Sequence, residues 1–545
     1  MATPPLSPRL LAVPWWGLLG ARRAIAEFRA PMLELRVGGR SPLPPPEVLR
    51  ALVHAPDVRG IWLKVDRLGG GQATLVAVAE ALRAARAAGR LVVGEFDWMG
   101  NAELLVASAC DRAYVRPGSQ TWCVGLGGTL RFFGDLLDRH GVSFDVEAVG
   151  EFKAFGEQFS RGFASTPNRE AMRALIDDLH AEWIAAIAEG RRRPVAEVEA
   201  AIRNGPSTGE ELRDAGLVDG VAYGDEVAAE VEKLVGTEPR VVPFAAWYAQ
   251  FRRHRAVGSW MLGHAAVPVL RLEGAIVDGQ GQPGAPVVPG GVVIEQLRRW
   301  EEDDTIKAVV LRVNSPGGSA AASDLAWRAV SRLAAKKPVV ASFGDVCASG
   351  GVYLTAACHE LLCAPSSITG SIGVVAGKPV LRAAMERHGV HSEDILAAPH
   401  ADVFSETAFS ASARARVRVG LDAMYRQFVD RVASGRKRPY AEVEPLARGR
   451  VWSGRRAHGL GLVDHLGGID VALGRAAALA GASSYRTWDV PVAPRGGWVL
   501  RALRSYSRVL LPELAVLDRV PLSARLLSDA PGEALALWPF DLDVR

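Results

Sequence analysis

The sequence predicts an α/β protein in which one unit of parallel strands and outer helices occurs twice along the chain. Three observations predict this fold class. The chain has 545 residues, which is too long for one ordinary hydrophobic core. Short apolar runs alternate with segments that carry apolar residues at helical spacing. Finally, similar blocks recur at a nearly constant offset, which indicates a tandem duplication.

The duplication is visible in blocks that match without gaps. RHGV occurs at 139–142 and again at 387–390, an offset of 248, and RPVAEVE at 193–199 matches RPYAEVE at 438–444, an offset of 245. We therefore predict an N-terminal segment over 1–29, a first α/β repeat over 30–245, a second α/β repeat over 246–490 and a C-terminal amphipathic tail over 491–545.

The second repeat gives the clearest secondary-structure pattern. VPVLRL, IKAVVLRV, KPVVASF and ELLCAP are typical of buried strands, whereas AAASDLAWRAVSRLAAK and LRAAMERHG carry helical spacing. Alternation of strand and helix predicts a largely parallel sheet with helices outside it. Ligand sites in such folds lie at the carboxyl ends of the strands, and two glycine-rich corners fall there.

Composition narrows the functional class. Hydrophobic residues make up 49% of the chain and charged residues 23%, a globular balance, and the net charge of +4 argues against a dedicated nucleic-acid binder. The five cysteines are odd in number and include no C-x-x-C pair, which predicts buried free thiols rather than a disulfide framework or a zinc site. We expect no metal and no cofactor.

The two ends of the chain carry apolar segments. The run from Leu10 to Leu19 is about half the length of a membrane span and contains Pro14. With Trp15 and Trp16 at the headgroups it could form an interfacial anchor, and a docking helix is the alternative. The tail segment GGWVLRALRSYSRVLLPELAVL likewise suits a docking helix or a membrane-surface helix.

One corner of the second repeat places a hydroxyl between small residues. In GDVCASGGVYL, Ser349 follows a predicted strand and precedes a predicted helix. It could be a helix N-cap, or a nucleophile beside free N–H groups. The neighbouring corner VNSPGGS contains Gly318, which together with Gly350 could supply the two N–H groups of an oxyanion hole.

A nucleophilic serine needs a base. His359 lies only ten residues beyond the serine and His388 sits in the repeated RHGV, so a structural role explains both. A lysine can lose its proton where an arginine cannot. Of the eight lysines, Lys378 and Lys153 are not explained by solvation, and Lys153 is flanked by phenylalanines in GEFKAFGEQF.

These segments together resemble a known family. VNSPGGS, ASGG, TGSIGV at 369–374 and GEFKAFGEQFSR at 150–161 are similar to signal peptide peptidase A, or protease IV, in its long duplicated form. The resemblance covers about residues 30–485. It implies the Clp-protease and crotonase fold group, a homo-oligomer that is a ring-like tetramer, peptide substrates, and association with the bacterial inner membrane, with a cytoplasmic location as the alternative.

The resemblance also implies roles for individual residues. Ser349 would be the nucleophile, Lys153 the base, Ser371 the residue that orients the lysine, and Gly318 and Gly350 the oxyanion hole. The family's usual tyrosine after the glycine pair is displaced by one residue, because Val352 precedes Tyr353. The serine that commonly follows the lysine is Ala154 here.

The duplication gives a separate argument for one shared site. The 248-residue offset places Asn101 opposite Ser349 and Ala401 opposite Lys153, so each repeat keeps one half of the pair. We predict a serine endopeptidase with a Ser-Lys dyad that hydrolyses signal-peptide remnants or other unfolded apolar peptides. The alternatives are a crotonase-like enzyme acting on acyl-coenzyme A thioesters and a non-catalytic scaffold of the same fold.

Overall fold

A computed structural model describes residues 30–39, 41–261, 264–281, 285–492 and 535–537. The expected interfacial anchor over 1–29 and nearly all of the expected amphipathic tail lie outside the described residues. Within the described part of the chain, no helix combines the length and the apolar character needed to cross a membrane.

The described chain divides into two compact units, and these differ from the two sequence repeats. One unit contains the chain up to Gly125 together with Trp183–His264, and the other contains Leu126–Glu182 and the chain from Ala265 onward. The segment Leu126–Glu182, which carries Lys153, thus belongs to the first repeat in sequence and to the second unit in space. The repeat boundaries at 30–245 and 246–490 stay predictions about the duplication.

The first unit is built on a six-stranded sheet in which all neighbours are parallel. Its two central strands, GIWLKV and LVVGEF, are mostly apolar and mostly buried, as in a parallel sheet that is covered on both faces. In spatial order the strands are Gly220–Val221, Arg112–Val115, Leu91–Phe96, Gly60–Val65, Met32–Val37 and Val241–Pro243.

A short strand pair and a set of helices complete this unit. The pair joins Met99–Gly100 to Thr121–Trp122. The helices, the second of which is a 3-10 helix, are Pro46–Leu49, Arg50–His54, Gln72–Ala87, Asn101–Ser108, Val195–Arg203, Gly209–Asp214, Gly224–Val235 and Phe244–Met261. The helix Thr166–Arg191 begins in the second unit and ends in the first.

The second unit repeats the same strand order. Its large sheet contains His465–Leu466, Glu360–Cys363, Val339–Ala348, Val309–Ser315, Val269–Glu273 and Asp489–Pro491, all parallel to their neighbours. Two further strands extend the sheet beyond Val339–Ala348. They are Ile368–Gly370, which is parallel to it, and Val451–Ser453, which is antiparallel to Ile368–Gly370. The shared order confirms the predicted duplication of an α/β repeat with parallel sheets.

A second sheet of this unit brings together strands that are distant in sequence. Ser143–Val149 pairs antiparallel with Val374–Val380 along seven residue pairs. The sheet continues in the order Val287–Pro289, Ala275–Val277, Gly317–Ser319, Leu535–Leu537, Val374–Val380 and Ser143–Val149. A separate two-stranded pair joins Ala265–Ala266 to Tyr485–Arg486.

The helices of the second unit cover its sheets and include two long ones. Ala320–Ala334 begins at Ser319, whose hydroxyl accepts the Ala322 N–H, and Ala411–Gly435 begins at Ser410 in the same way. The other α-helices are Gly134–Arg139, Glu157–Ser160, Gly290–Glu302, Gly350–Thr355, Arg382–Arg387, Tyr440–Val443, Gly454–Gly459 and Ile469–Leu479. Two 3-10 helices are Ala401–Phe404 and Glu444–Leu446.

The largest apolar cluster of the second unit includes residues of the strand Val339–Ala348, which ends directly before Ser349. Leu311, Phe343 and Phe428 are buried members of this cluster. The ring of Tyr353 packs on Phe428 with a centroid distance of 4.7 Å. Because Tyr353 lies on the helix that starts directly after Ser349, this packing fixes that helix and the corner before it.

Candidate active site

Ser349 occupies a tight corner between a strand and a helix. The strand Val339–Ala348 ends directly before it and the helix Gly350–Thr355 begins directly after it. Its φ of 52° is rare for a residue other than glycine. The Ser349 side chain makes no capping hydrogen bond to the helix, so the N-cap alternative does not describe its hydroxyl.

The hydroxyl of Ser349 is instead close to the amine of Lys153. Lys153 lies in the turn after the strand Ser143–Val149, and its Nζ is 2.8 Å from Ser349 Oγ. The same Nζ is 3.1 Å from both the carbonyl oxygen and Oγ of Ser371. The structure therefore brings together the three side chains that the sequence analysis singled out.

Strand register explains how Ser371 reaches this position. The strand Ile368–Gly370 runs parallel to the end of Val339–Ala348, with Ala348 opposite Gly370. Both strands end at one edge of the sheet, so the residues that follow them, Ser349 and Ser371, are neighbours. The Ser349 N–H donates to the carbonyl of Gly370 at 2.8 Å, which closes the corner.

An uncharged amine can make each of the polar contacts described around Nζ. A neutral amine has two N–H donors and one lone pair. The carbonyl of Ser371 can only accept, so it takes one N–H of Lys153. The Ser371 hydroxyl can take the other. Nζ lies 2.8 Å from Ser349 Oγ, so the lone pair of the neutral amine can reach the proton of the Ser349 hydroxyl, as a general base requires.

Burial favours this uncharged form. Ser349 and Ser371 are fully buried, and Lys153 is 4% exposed. Removal from water lowers the pKa of the Lys153 amine well below its usual value of 10.5. Ala154 and Ala348, the neighbours of the lysine and the serine, belong to one apolar cluster against which Phe152 packs.

The acidic residues near Lys153 in sequence are engaged elsewhere. Glu151 forms an ion pair with Arg448 at 3.4 Å. Glu157 accepts the Ser165 N–H at 3.0 Å and the side-chain amide of Asn168 at 2.9 Å. Both carboxylates thus have partners other than the Lys153 amine, whose pKa is lowered by desolvation.

The two predicted oxyanion glycines lie next to one another. Gly350 is the first residue of its helix, where the N–H has no acceptor within the helix. A Cβ added to Gly350 would lie 3.3 Å from the backbone nitrogen of Gly318 and 2.5 Å from Oγ of Ser323. A Cβ added to Gly318, whose φ is +156°, would lie 1.9 Å from the carbonyl oxygen of Ile276. Side chains are therefore excluded from both positions.

A short extended segment of the chain lies between the strands that flank this site. Leu535–Leu537 pairs antiparallel with Gly317–Ser319, with Ala536 opposite Gly318. At Leu535 it also pairs antiparallel with Val375. The backbone of the site can thus hold an extended segment between two strands.

The other candidate bases have structural contacts. Lys378 Nζ donates to the carbonyls of Asp402, Val403 and Ser405 at 2.9 to 3.0 Å. His359 Nδ1 accepts the Val339 N–H at 3.1 Å. His388 lies exposed at the end of the helix Arg382–Arg387. None of these three side chains is among the hydrogen-bond partners of Ser349 that the structure describes.

The first unit carries a different residue at the corresponding corner. Asn101, the counterpart of Ser349, exchanges two hydrogen bonds with the backbone of Gly125, at 2.8 and 3.2 Å. The amide at this corner therefore closes a loop. This contact agrees with the expectation that each repeat keeps only one half of the pair.

Sequence reasoning did not single out the segment of residues 448–450, which contacts both Lys153 and Ser371 through its backbone. The only sequence signal was a glycine between two arginines before the short apolar run VWS. That pattern also fits an ordinary turn, so it could not have identified the contact.

Comparison with known proteins places the chain in a family. Residues 84–238 and 331–483, which together make up more than half of the chain, match peptidase family S49. Protease 4 of Salmonella typhi is 30% identical over 521 residues, which cover 90% of this chain and 81% of that protein. The chloroplastic serine protease SPPA of Arabidopsis thaliana is 29% identical over 430 residues, which cover 77% of this chain and 63% of that protein.

A serine-type peptidase is the class of protein that this family match and these relatives define. The chain belongs to peptidase family S49. The predicted family and the predicted fold class are thereby confirmed.

The buried amine gives a prediction about stability. The pKa of Lys153 is lower in the folded state than in the unfolded chain, so the unfolded chain binds more protons between the two pKa values. The free energy of unfolding is therefore lowest below the pKa of the folded state and increases as pH rises toward 10.5. The total increase is about 1.4 kcal/mol for each unit by which the folded-state pKa lies below the unfolded one. Lys153→Met removes this dependence. The test is to measure the melting temperature of Lys153→Met and of the wild type by thermal unfolding at pH 7 and at pH 10. The melting temperature of the variant minus that of the wild type should be larger at pH 7 than at pH 10. A difference that does not vary with pH would contradict a buried neutral amine.

Proposed function

We propose that the chain is a serine endopeptidase in which Ser349 is the nucleophile and Lys153 is the general base. The observation that carries this proposal is the 2.8 Å distance between Lys153 Nζ and Ser349 Oγ in a buried site. Ser371 orients the amine through its carbonyl oxygen and its hydroxyl. The N–H groups of Gly318 and Gly350 form the oxyanion hole.

The reaction follows from these positions. Ser349 Oγ attacks the carbonyl carbon of the scissile peptide bond while its proton moves to Lys153 Nζ. The carbonyl oxygen becomes an oxyanion and accepts hydrogen bonds from the two glycine N–H groups. The tetrahedral intermediate then breaks its C–N bond, and the leaving amine takes the proton from Lys153. Water then attacks the carbonyl carbon of the acyl-enzyme and gives a proton to Lys153 Nζ. The bond from this carbon to Ser349 Oγ breaks, Oγ takes the proton back from Lys153, and the carboxylic acid product leaves.

The proposed substrates are signal-peptide remnants and other unfolded apolar peptides. The family resemblance supports the first part of this statement. The pairing of Leu535–Leu537 with Gly317–Ser319 and with Val375 supports the second, because an extended peptide can likewise bind as a strand through its backbone. A folded protein cannot offer such a strand without local unfolding.

The first prediction from this function concerns the nucleophile. Ser349→Ala should lower peptide hydrolysis by about 10⁴-fold or more, because the attacking oxygen is lost. Folding should be unchanged, since the hydroxyl makes no helix cap. A fluorophosphonate probe should label the wild type at Ser349 and leave Ser349→Ala unlabelled, as read by peptide mass spectrometry. An active Ser349→Ala protein would exclude this nucleophile. Hydrolysis of acyl-coenzyme A thioesters without labelling of Ser349 would favour the crotonase-like alternative.

The second prediction concerns the base. Only the neutral amine can accept a proton, so the wild-type rate should rise with pH through the pKa of Lys153 and then level off. Because that pKa is lowered, the rise should lie below the usual 10.5. Lys153→Arg should be inactive at every pH, since a guanidinium keeps its proton. Lys378→Arg is the matched control, because Lys378 donates to backbone carbonyls away from the serine, and it should keep the wild-type pH profile. Activity in Lys153→Arg would overturn the assignment.

We also propose that the chain forms a homo-oligomer, a tetramer according to the family resemblance, and that it attaches to the membrane surface. The apolar run from Leu10 to Leu19 and the arginine-containing apolar tail support surface attachment. The full chain should co-float with vesicles containing anionic lipid at low salt, and less so at high salt because salt screens the arginines. Absence of co-flotation at low salt would contradict the attachment.

A further inference from the structure

The residues 448–450 lie between the turn that carries Lys153 and the corner that carries Ser371. On the lysine side, the carbonyl of Arg448 accepts the N–H of Phe152, the residue directly before the base, at 2.9 Å. A Cβ added to Gly150 would lie 2.4 Å from the carbonyl carbon of Arg448. The two backbones are therefore in direct contact on this side.

The same three residues hold the Ser371 corner. The carbonyl of Arg450 accepts the Ser371 N–H at 2.7 Å. The Gly449 N–H donates to the carbonyl of Ile372 at 2.7 Å. Residues 448–450 thus make three short backbone hydrogen bonds, one on the lysine side and two on the Ser371 side. These bonds connect the base to the residue that orients it.

Gly449 is the point of closest approach to the base. A Cβ at this position would lie 2.5 Å from the backbone nitrogen of Lys153 and 2.6 Å from its Cα and Cβ. On another side, a Cβ added to Gly373 would lie 3.0 Å from Cα of Gly449. The backbone of Lys153 can take its place only because residue 449 has no side chain.

The segment is itself firmly held. The Arg448 N–H donates to the hydroxyl of Tyr425 at 3.1 Å. The guanidinium of Arg450 lies over the rings of Phe152 and Trp452, at 4.7 and 4.8 Å from their centroids. A displacement at residue 449 would therefore be taken up by the lysine turn, since the segment has contacts on both of its ends.

We propose that Gly449 is a positioning residue that fixes the backbone of Lys153 and thereby sets the distance from its amine to Ser349. This inference rests on the proposed role of Lys153 as the base. A small shift of a reacting group can lower a rate by about 10²-fold. A methyl group at residue 449 that displaced Lys153 would therefore lower the reaction rate as well as disturb the packing.

A pair of alanine substitutions separates the collision from the backbone cost. Gly449 and Gly389 have the same φ of +76°, and a Cβ added to Gly389 meets no atom within 4 Å. Gly449→Ala and Gly389→Ala therefore both place an L-residue at the same positive φ, and of the two only the first collides with Lys153. We expect Gly449→Ala to lower kcat by about 10- to 100-fold with KM within about twofold of wild type. The rate of fluorophosphonate labelling should fall in parallel. Gly389→Ala should keep the wild-type kcat, KM and labelling rate.

The outcomes distinguish this inference from the proposed function. If Lys153→Ala is inactive and Gly449→Ala behaves like Gly389→Ala, Gly449 does not position the base and this inference is wrong. If Lys153→Ala is as active as the wild type, Lys153 is not the base and both statements are wrong. A loss in Gly449→Ala that appears only as a higher KM would also contradict positioning of the base.

A milder variant decides the question if Gly449→Ala does not fold. Tyr425→Phe removes the hydroxyl that accepts the Arg448 N–H and donates to Glu444 Oε1 at 3.2 Å, and it adds no atom. We expect kcat to fall by about 2- to 10-fold at unchanged KM, the effect of losing the two hydrogen bonds of this hydroxyl, one of which holds the segment directly. An unchanged kcat in Tyr425→Phe would overturn the proposal.

Discussion

The burial of one amine next to one hydroxyl is the constraint on which the rest of the site depends. A charged lysine in the position of Lys153 would lose its hydration, and this is why its pKa is lowered. In the same buried place the amine lies within hydrogen-bond distance of Ser349 and Ser371, and these contacts fix the orientation of the side chain. Protonation state and orientation therefore have one physical cause.

The fold meets this constraint with three chain segments that end at one place. Two of them are parallel strands, Val339–Ala348 and Ile368–Gly370, whose ends place Ser349 and Ser371 side by side. The third is the strand Ser143–Val149, which pairs along its whole length with Val374–Val380 and then turns to deliver Lys153. Long strand pairing fixes register, and register fixes which residue faces the serine.

Local sequence patterns predicted the repeating α/β units well, because buried strands and amphipathic helices have distinct spacing. KPVVASF at 337–343 was predicted as a strand, and the strand Val339–Ala348 continues five residues further, up to the serine. LRAAMERHG was predicted as a helix, and the helix Arg382–Arg387 covers only its middle. Ends of elements depend on tertiary contacts, which a local pattern does not contain.

The residues of the candidate site were predicted from different kinds of sequence evidence. Ser349 could be singled out from its own corner, whereas Lys153 rested on elimination among eight lysines and on the family resemblance. The part played by Gly449 could not be predicted, because it consists of a contact between backbones almost 300 residues apart in sequence. The division into compact units could not be predicted either, since the repeats in the sequence do not reveal that Leu126–Glu182 packs with the later chain.

The assignment of Leu126–Glu182 to the second unit has a consequence for synthesis on the ribosome. When this segment has been translated, the strand Val374–Val380 that pairs with Ser143–Val149 is still more than 190 residues away from being made. The first unit has both of its pieces by His264 and has the strands of its sheet by then, whereas the second unit still lacks the chain from Ala265 onward. Until then Ser143–Val149 lacks this partner strand, and an unpaired strand is a site for wrong pairing or for a chaperone. The unit that contains Lys153 and Ser349 is therefore completed after the first unit, and these two residues can meet only once the strands Val339–Ala348 and Val374–Val380 have been made.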